Sequence, residues 1–322
     1  MLLNRQDAAG PTLADFHSED AAMAACLKRA RAAAATDLPV LILGESGTGK
    51  TLLAHAVHNS SRRAARAFIS FNAAALSDGL LDSQLFGHER GAFTGAQNRV
   101  RGKFELADGG SLFIDEIADM SPSAQGKILR AVEYGEFERL GSEDLQRADV
   151  RLISATHYPI QRFTASDGFR RDLFFRISGI VLTIPPLRER PRDLPFLVAA
   201  EIAGASRKQG KHIVGLDQAA ADKLLAYSWP GNLRELSKVI QAAVALAEGD
   251  VIDSDALLLE ATPGPPAART APPPPAGEVL TLAEAERRHV VSVLERLGGN
   301  KARAARALAV SRSTLDRKLA SS

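Results

Sequence analysis

The chain is poor in cysteine: Cys26 is the only one among 322 residues. That excludes an internal disulfide and any zinc cluster built on cysteines, and it fits a reducing compartment, so a cytoplasmic location is expected. No stretch approaches eighteen consecutive apolar residues, which excludes a membrane-spanning helix. The opening MLLNRQDAAG has neither an apolar h-region nor a cleavage site, so no secretory signal is expected. No internal repeat is present. Net charge is also nearly absent, at +2 from 40 Lys+Arg against 38 Asp+Glu.

What is there is a globular mix, 45% hydrophobic and 24% charged. The length suits one large domain with one or two small ones. The near-balance of charge hides an asymmetry: residues 278–322 hold nine basic residues against five acids. A basic end on a slightly acidic body reads as a small polyanion-binding module attached to something else. The join is legible at Thr262–Gly277, TPGPPAARTAPPPPAG, whose proline density favours an extended spacer with no core.

Within the body, short apolar runs alternate with helix-like stretches. Strands are predicted at Pro39–Leu43, Ala67–Phe71, Ser111–Asp115, Val150–Ala155 and Ile180–Ile184, with helices at Lys50–His58 and Ser121–Glu133 among them. This alternation predicts a mostly parallel sheet covered by helices. After Pro195 strand signals vanish, and Asp193–Lys208, Asp217–Tyr227 and Asn232–Glu248 read as lid helices. The predicted organisation is an N-terminal extension (1–12), an α/β core (13–190), a helical lid (191–255), a linker (256–277) and a C-terminal all-α module (278–322).

Gly44-Glu45-Ser46-Gly47-Thr48-Gly49-Lys50-Thr51 fits G-x-x-x-x-G-K-[ST] in full, after an apolar strand and before a helix. Its backbone N–H groups suit phosphate oxygens, helped by the helix N-terminus. Lys50 is expected to reach the β- and γ-phosphates of ATP, and the Thr51 hydroxyl to ligand Mg²⁺. The run Ser111-Leu112-Phe113-Ile114-Asp115-Glu116 ends a strand in two acids. Asp115 is placed to hold the Mg²⁺ and Glu116 to act as general base on a water. Arg170, Arg176 and Arg234 are candidates for stabilising charge on the γ-phosphate. By sequence alone each is more often a solvated ion-pair residue.

From Leu85 the chain reads LFGHERGAFTGA, and the hexapeptide Gly91-Ala92-Phe93-Thr94-Gly95-Ala96 strongly resembles the signature of the bacterial enhancer-binding proteins, AAA+ ATPases that activate sigma-54 RNA polymerase. PPLRER at Pro185–Arg190 and WPGNLREL at Trp229–Leu236 match as well, and the resemblance covers roughly Leu13 to Asp250. It implies an AAA+ P-loop core in a ring, normally a hexamer. Arg170 and Arg176 match fingers that reach a neighbour's ATP, Arg234 matches the lid's sensor arginine, and Asn72 matches the asparagine that orients the catalytic glutamate. Gly91–Ala96 would be the loop that touches the sigma factor. Flanking glycines around an exposed aromatic suit such a loop, though an ordinary turn with Phe93 in the core remains open. With so short an N-terminal extension, no receiver domain is expected, which resembles the phage-shock and Hrp secretion activators and points to control in trans, by a negative regulator, or by expression. The chain departs from the pattern twice: Thr51 stands where glutamate is common, and His157 where the sensor-I site usually carries asparagine.

The C-terminal module reads as three helices, Leu282–Leu297, Lys301–Leu308 and Ser311–Leu319, a Fis-type helix-turn-helix. Ser311, Arg312, Ser313, Thr314, Arg317 and Lys318 would face bases or phosphates of upstream enhancer DNA, with Arg303 and Arg306 on its backbone. Two rival readings are another AAA+ machine and a repressor whose ATPase body only drives oligomerisation. An intact GAFTGA argues against both.

Overall fold

A computed structural model describes residues 10–75, 78–159 and 168–259, together with Lys301, Arg303, Ala305, Thr314 and Leu315. The chain divides into two compact units, residues 1–260 and 261–322. In the second unit the described residues are helical, with Ala305 and Leu315 buried and Arg303 exposed. The predicted helix Leu282–Leu297, the proline-rich spacer and Arg306, Ser311, Arg312, Ser313, Arg317 and Lys318 lie outside the described residues.

Five parallel strands organise the first unit. They are β1 (Val40–Leu43), β2 (Phe68–Asn72), β5 (Ser111–Asp115), β8 (Arg151–Thr156) and β9 (Ile180–Thr183), in the order β2-β5-β8-β1-β9. Side chains alternate across a strand, and here both faces are apolar because both are covered. Val40, Ile42, Phe113, Ile153 and Ala155 enter one core, with α1 (Ala21–Ala34) and α2 (Lys50–Asn59). Leu41, Leu43, Leu112, Ile114 and Leu152 enter the other. Predicted and observed strand ends differ by one residue at most.

Three short hairpins or pairs complete the sheets: β3 (Gly87–His88) with β4 (Val100–Arg101), β6 (Glu136–Glu138) with β7 (Leu145–Arg147), and β10 (Gly215–Leu216) with β11 (Val251–Ile252). The last pair corrects the expectation that strands end after Pro195; two residues are too few to leave a periodic signal. Between β3 and β5 lies α4 (Lys103–Leu106), preceded by α3 (Asp78–Phe86). α5 (Pro122–Tyr134) is set by its ends: Ser121 accepts from the Ala124 N–H, Pro122 opens the first turn, and Gly135 closes it at φ 69°. α6 (Arg171–Ile177) follows Arg170.

The lid comprises α7 (Leu194–Gln209), α8 (Gln218–Ala226) and α9 (Asn232–Leu246). α8 stops one residue short of its expected end because Tyr227 is extended, at φ −80° and ψ 142°. The expected linker start at 256 also moves: Ala256 and Leu257 are buried in the first core.

Candidate nucleotide site and loop surface

The sheet order gathers the chemistry. β8 lies between β1 and β5, so the phosphate loop, His157 and the Asp115-Glu116 pair leave adjacent strands at one end. Ligands of open α/β sheets bind at that end.

In the loop, Gly47 and Gly49 take φ +79° and +99°, conformations that non-glycine residues rarely adopt. The Thr48 hydroxyl donates to the Glu45 carbonyl at 2.8 Å, shaping the turn that feeds α2. Lys50 is buried, and its Nζ donates to the carbonyls of Gly44 at 3.0 Å and Glu45 at 3.4 Å. The same nitrogen is 3.4 Å from Glu116 Oε1. Thr51 is exposed on the first turn of α2.

Burial and the adjacent Glu116 charge push the Asp115 carboxyl above its ordinary range, against Lys50 and Arg234. Burial would push Glu116 up as well, but hydrogen bonds from His157 and the charge of Lys50 outweigh it and hold that carboxyl down. An acid strained upward by burial is offset by a cation. Asp115 and the Thr51 hydroxyl are hard oxygen donors suited to Mg²⁺, which takes few protein ligands beside phosphate and water. Among the described residues no cluster of three or more His, Cys, Asp or Glu forms a metal cage of its own.

Asn72 ends β2 level with Asp115, and its Oδ1 accepts from the Ala74 N–H at 2.9 Å. Glu116 Oε2 accepts from His157 twice, from the backbone N–H at 3.1 Å and from ring Nδ1 at 2.8 Å. Arg170 forms a paired contact with Asp172, at 3.1 and 2.7 Å, and Arg176 Nη2 donates to the Val132 and Glu133 carbonyls at the end of α5. Among the described residues, neither arginine bonds the phosphate loop of its own chain.

The lid closes on the loop from above. Arg234 Nη1 donates to Ser46 Oγ at 3.0 Å, in the wall of a cavity of about 500 Å³ that also meets Pro230, Glu235 and Lys238. Two further contacts escaped the sequence reading. Arg188 grips Glu45 with both nitrogens, at 2.8 and 2.6 Å, and holds its carboxyl below the ordinary range. Asn232, fully buried at φ 52°, donates to Glu45 Oε2 and the Ser46 carbonyl and accepts from the Leu187 N–H. Both residues stand in quoted segments, PPLRER and WPGNLREL, but only the pairing in space reveals their task.

Gly91–Ala96 sits at the tip of the β3–β4 hairpin. Gly91 donates to the Ala96 carbonyl at 2.9 Å, and Gly91 and Gly95 take φ +84° and +106° with open space around them. Phe93 is 44% exposed and lies edge-on to His88, so it does not join the core. At the root, buried Arg139 pairs with Glu89 at 3.2 Å and Glu105 at 2.9 Å.

A phosphate loop, an acid pair across one intervening strand and a lid arginine on the loop define an AAA+ P-loop fold. Three family models match in order: the sigma-54 interaction domain over residues 16–183, the AAA+ ATPase lid domain over 188–273, and the Fis family of bacterial regulatory proteins over 281–321. The chain belongs to the sigma-54-dependent enhancer-binding proteins.

The transcriptional regulatory protein ZraR of Klebsiella oxytoca is 44% identical over 300 residues, 92% of this chain and 67% of that protein. The Nif-specific regulatory protein of Klebsiella pneumoniae is 43% identical over 272 residues, 84% of this chain and 52% of that one. The chain thus spans between about a third and two thirds of the length of the curated relatives it matches. Crystal structures of NtrX from Brucella abortus in complex with ADP and with ATP superpose with TM-score 0.69 at 32% identity, covering 94% and 95% of this chain and 68% of theirs.

Proposed function

We propose that this chain is an ATP-hydrolysing activator of sigma-54 RNA polymerase, binding upstream DNA through residues 278–322 and working as a ring, normally a hexamer. The observation that carries the reading is the separation of two sites on one body. Fuel is handled at the strand ends, by Lys50, Asp115 and Glu116, while Gly91–Ala96 is presented at a hairpin tip with Phe93 half exposed.

Glu116 takes the proton of a water that attacks the terminal phosphate, and Lys50 turns from the Gly44 carbonyl to the phosphate oxygens. Mg²⁺, held by Thr51 and Asp115, would supply charge neutralisation there. Arg170 and Arg176 bond Asp172 and the end of α5 instead of their own phosphate loop, which suits a finger that completes a neighbour's site. The loop then does the work, remodelling the polymerase closed complex.

Thr94→Ala tests the division. It touches neither Lys50, Asp115 nor Glu116, so ATP hydrolysis should stay near wild type while open-complex formation on a sigma-54 promoter collapses. A loss of ~3 kcal/mol in the contact cuts its equilibrium constant about a hundredfold. If both activities survive, or both fall in proportion, the loop is not the remodelling contact.

A further inference from the structure

His157 follows β8 directly, and its ring is engaged. β5 and β8 are neighbours with Ile114 level with Ser154, so Glu116 and His157 leave adjacent strands at the same end. Glu116 occupies the left-handed region, φ 52° and ψ 48°, which few non-glycine residues adopt. From that turn its carboxylate meets His157. One oxygen, Oε2, receives both the His157 N–H at 3.1 Å and Nδ1 at 2.8 Å. The other, Oε1, is left 3.4 Å from Lys50 Nζ, on the phosphate side. The ring packs on Tyr158 with centroids 4.2 Å apart, and Asn72 Oδ1 is occupied by the Ala74 N–H.

A carboxylate turns readily about its last torsion, which has broad wells. Two donors on one oxygen remove that freedom. A bond from Nδ1 to a carboxylate requires the proton on Nδ1, which also fixes the ring's tautomer.

We propose that His157 is a positioning residue for the general base: it holds Oε2 of Glu116 so that Oε1 is presented to the phosphate end of the pocket. The inference rests on the reading of this chain as an ATPase with Glu116 as base. His157 bonds the base and, among the described residues, forms no hydrogen bond with the phosphate loop, so it acts on turnover and not on nucleotide affinity.

The experiment compares full-length wild type, H157A, H157N, E116Q and the E116Q/H157A double variant. ATP hydrolysis is measured beside calorimetric binding of a non-hydrolysable ATP analogue. H157A should lower kcat about tenfold, the scale of one lost charge-assisted hydrogen bond, while the analogue's Kd moves less than twofold. H157N, which keeps a side-chain N–H donor, should recover to within about threefold of wild type. In the E116Q background, H157A should change nothing further. The proposal is overturned if H157A turns over at the wild-type rate or faster, if analogue affinity falls in step with kcat, or if asparagine gives no rescue. Each of those results would leave wild type active and E116Q inactive. A wild type that hydrolyses no ATP, or an E116Q variant at full rate, would instead sink the functional reading and this inference with it.

Discussion

Asn232 fastens the lid to the phosphate loop, and replacing it has a cost that can be worked from its contacts. Its side chain makes three hydrogen bonds, to the Leu187 N–H at 2.7 Å, the Ser46 carbonyl at 3.1 Å and Glu45 Oε2 at 3.2 Å. In Asn232→Ala the buried Leu187 N–H loses its acceptor, worth about 1–3 kcal/mol, and the other two bonds about 0.5–1.5 kcal/mol each before water replaces part of them. The backbone stays at φ 52°, where alanine is disfavoured by about 1–2 kcal/mol. The expected loss is about 3–5 kcal/mol. Asn232→Gly loses the same bonds without the steric term, so it should be about 1 kcal/mol milder. Urea unfolding of both variants can be followed by the fluorescence of the single tryptophan, Trp229, which is buried three residues away with its indole N–H on the Leu224 carbonyl. If Asn232→Ala unfolds within 1 kcal/mol of wild type, the fastening described here carries no stability. If alanine and glycine are equal, the backbone term is wrong.

Gly47→Ala places a methyl 2.3 Å from the Gly231 carbonyl oxygen at a positive φ, so the loop and lid must part; ATP affinity should fall at least about tenfold by calorimetry, and an unchanged Kd would contradict the close approach. Asp193 is 2% exposed and accepts from Arg190 at 2.7 and 2.8 Å, so Asp193→Asn should cost about 3–5 kcal/mol by stranding a buried guanidinium. Burial raises that carboxyl, but Ser18 and Arg190 outweigh it and hold it low. Its contribution is therefore complete above about pH 4 and lost as pH falls further, and the asparagine variant should show a flatter acid limb in thermal melts below about pH 4. Arg170→Ala should impair a neighbour's site and not its own, so ATPase activity in mixtures with wild type should depart from simple proportion to the wild-type fraction.

Much of the fold was legible because its strands are short, apolar on both faces and bounded by polar turns, a pattern that survives in one dimension. Leu112-Phe113-Ile114 ending in Asp115-Glu116 could hardly be read otherwise, and the phosphate loop announces itself by spacing. The two-residue strands at Gly87, Val100, Gly215 and Val251 could not be found, because alternation needs more residues than they have. Nor could the partners of Glu45: Arg188 and Asn232 lie 143 and 187 residues away, and each alone reads as an ordinary polar residue. Resemblance points to Asn72 as a nucleotide-dependent keeper of Glu116; the bonds from His157 to Glu116 could not be read in the sequence, because its reach is set by the strand order.

The stapling of the phosphate loop by Asn232 and by the Leu233 N–H, which donates to the Gly47 carbonyl at 3.0 Å, also bears on how the protein is made. A ribosome emits the loop first and its clasp only about 180 residues later. At ~5–20 residues per second, the nascent loop waits on the order of 10–35 seconds before it can be gripped. A polypeptide truncated between α6 and α9 carries the phosphate loop, Asp115 and Glu116, but lacks Asn232, Leu233 and Arg234, the α9 residues that bond the loop. The full set of contacts around the phosphate loop is then one of the last features this unit acquires during synthesis.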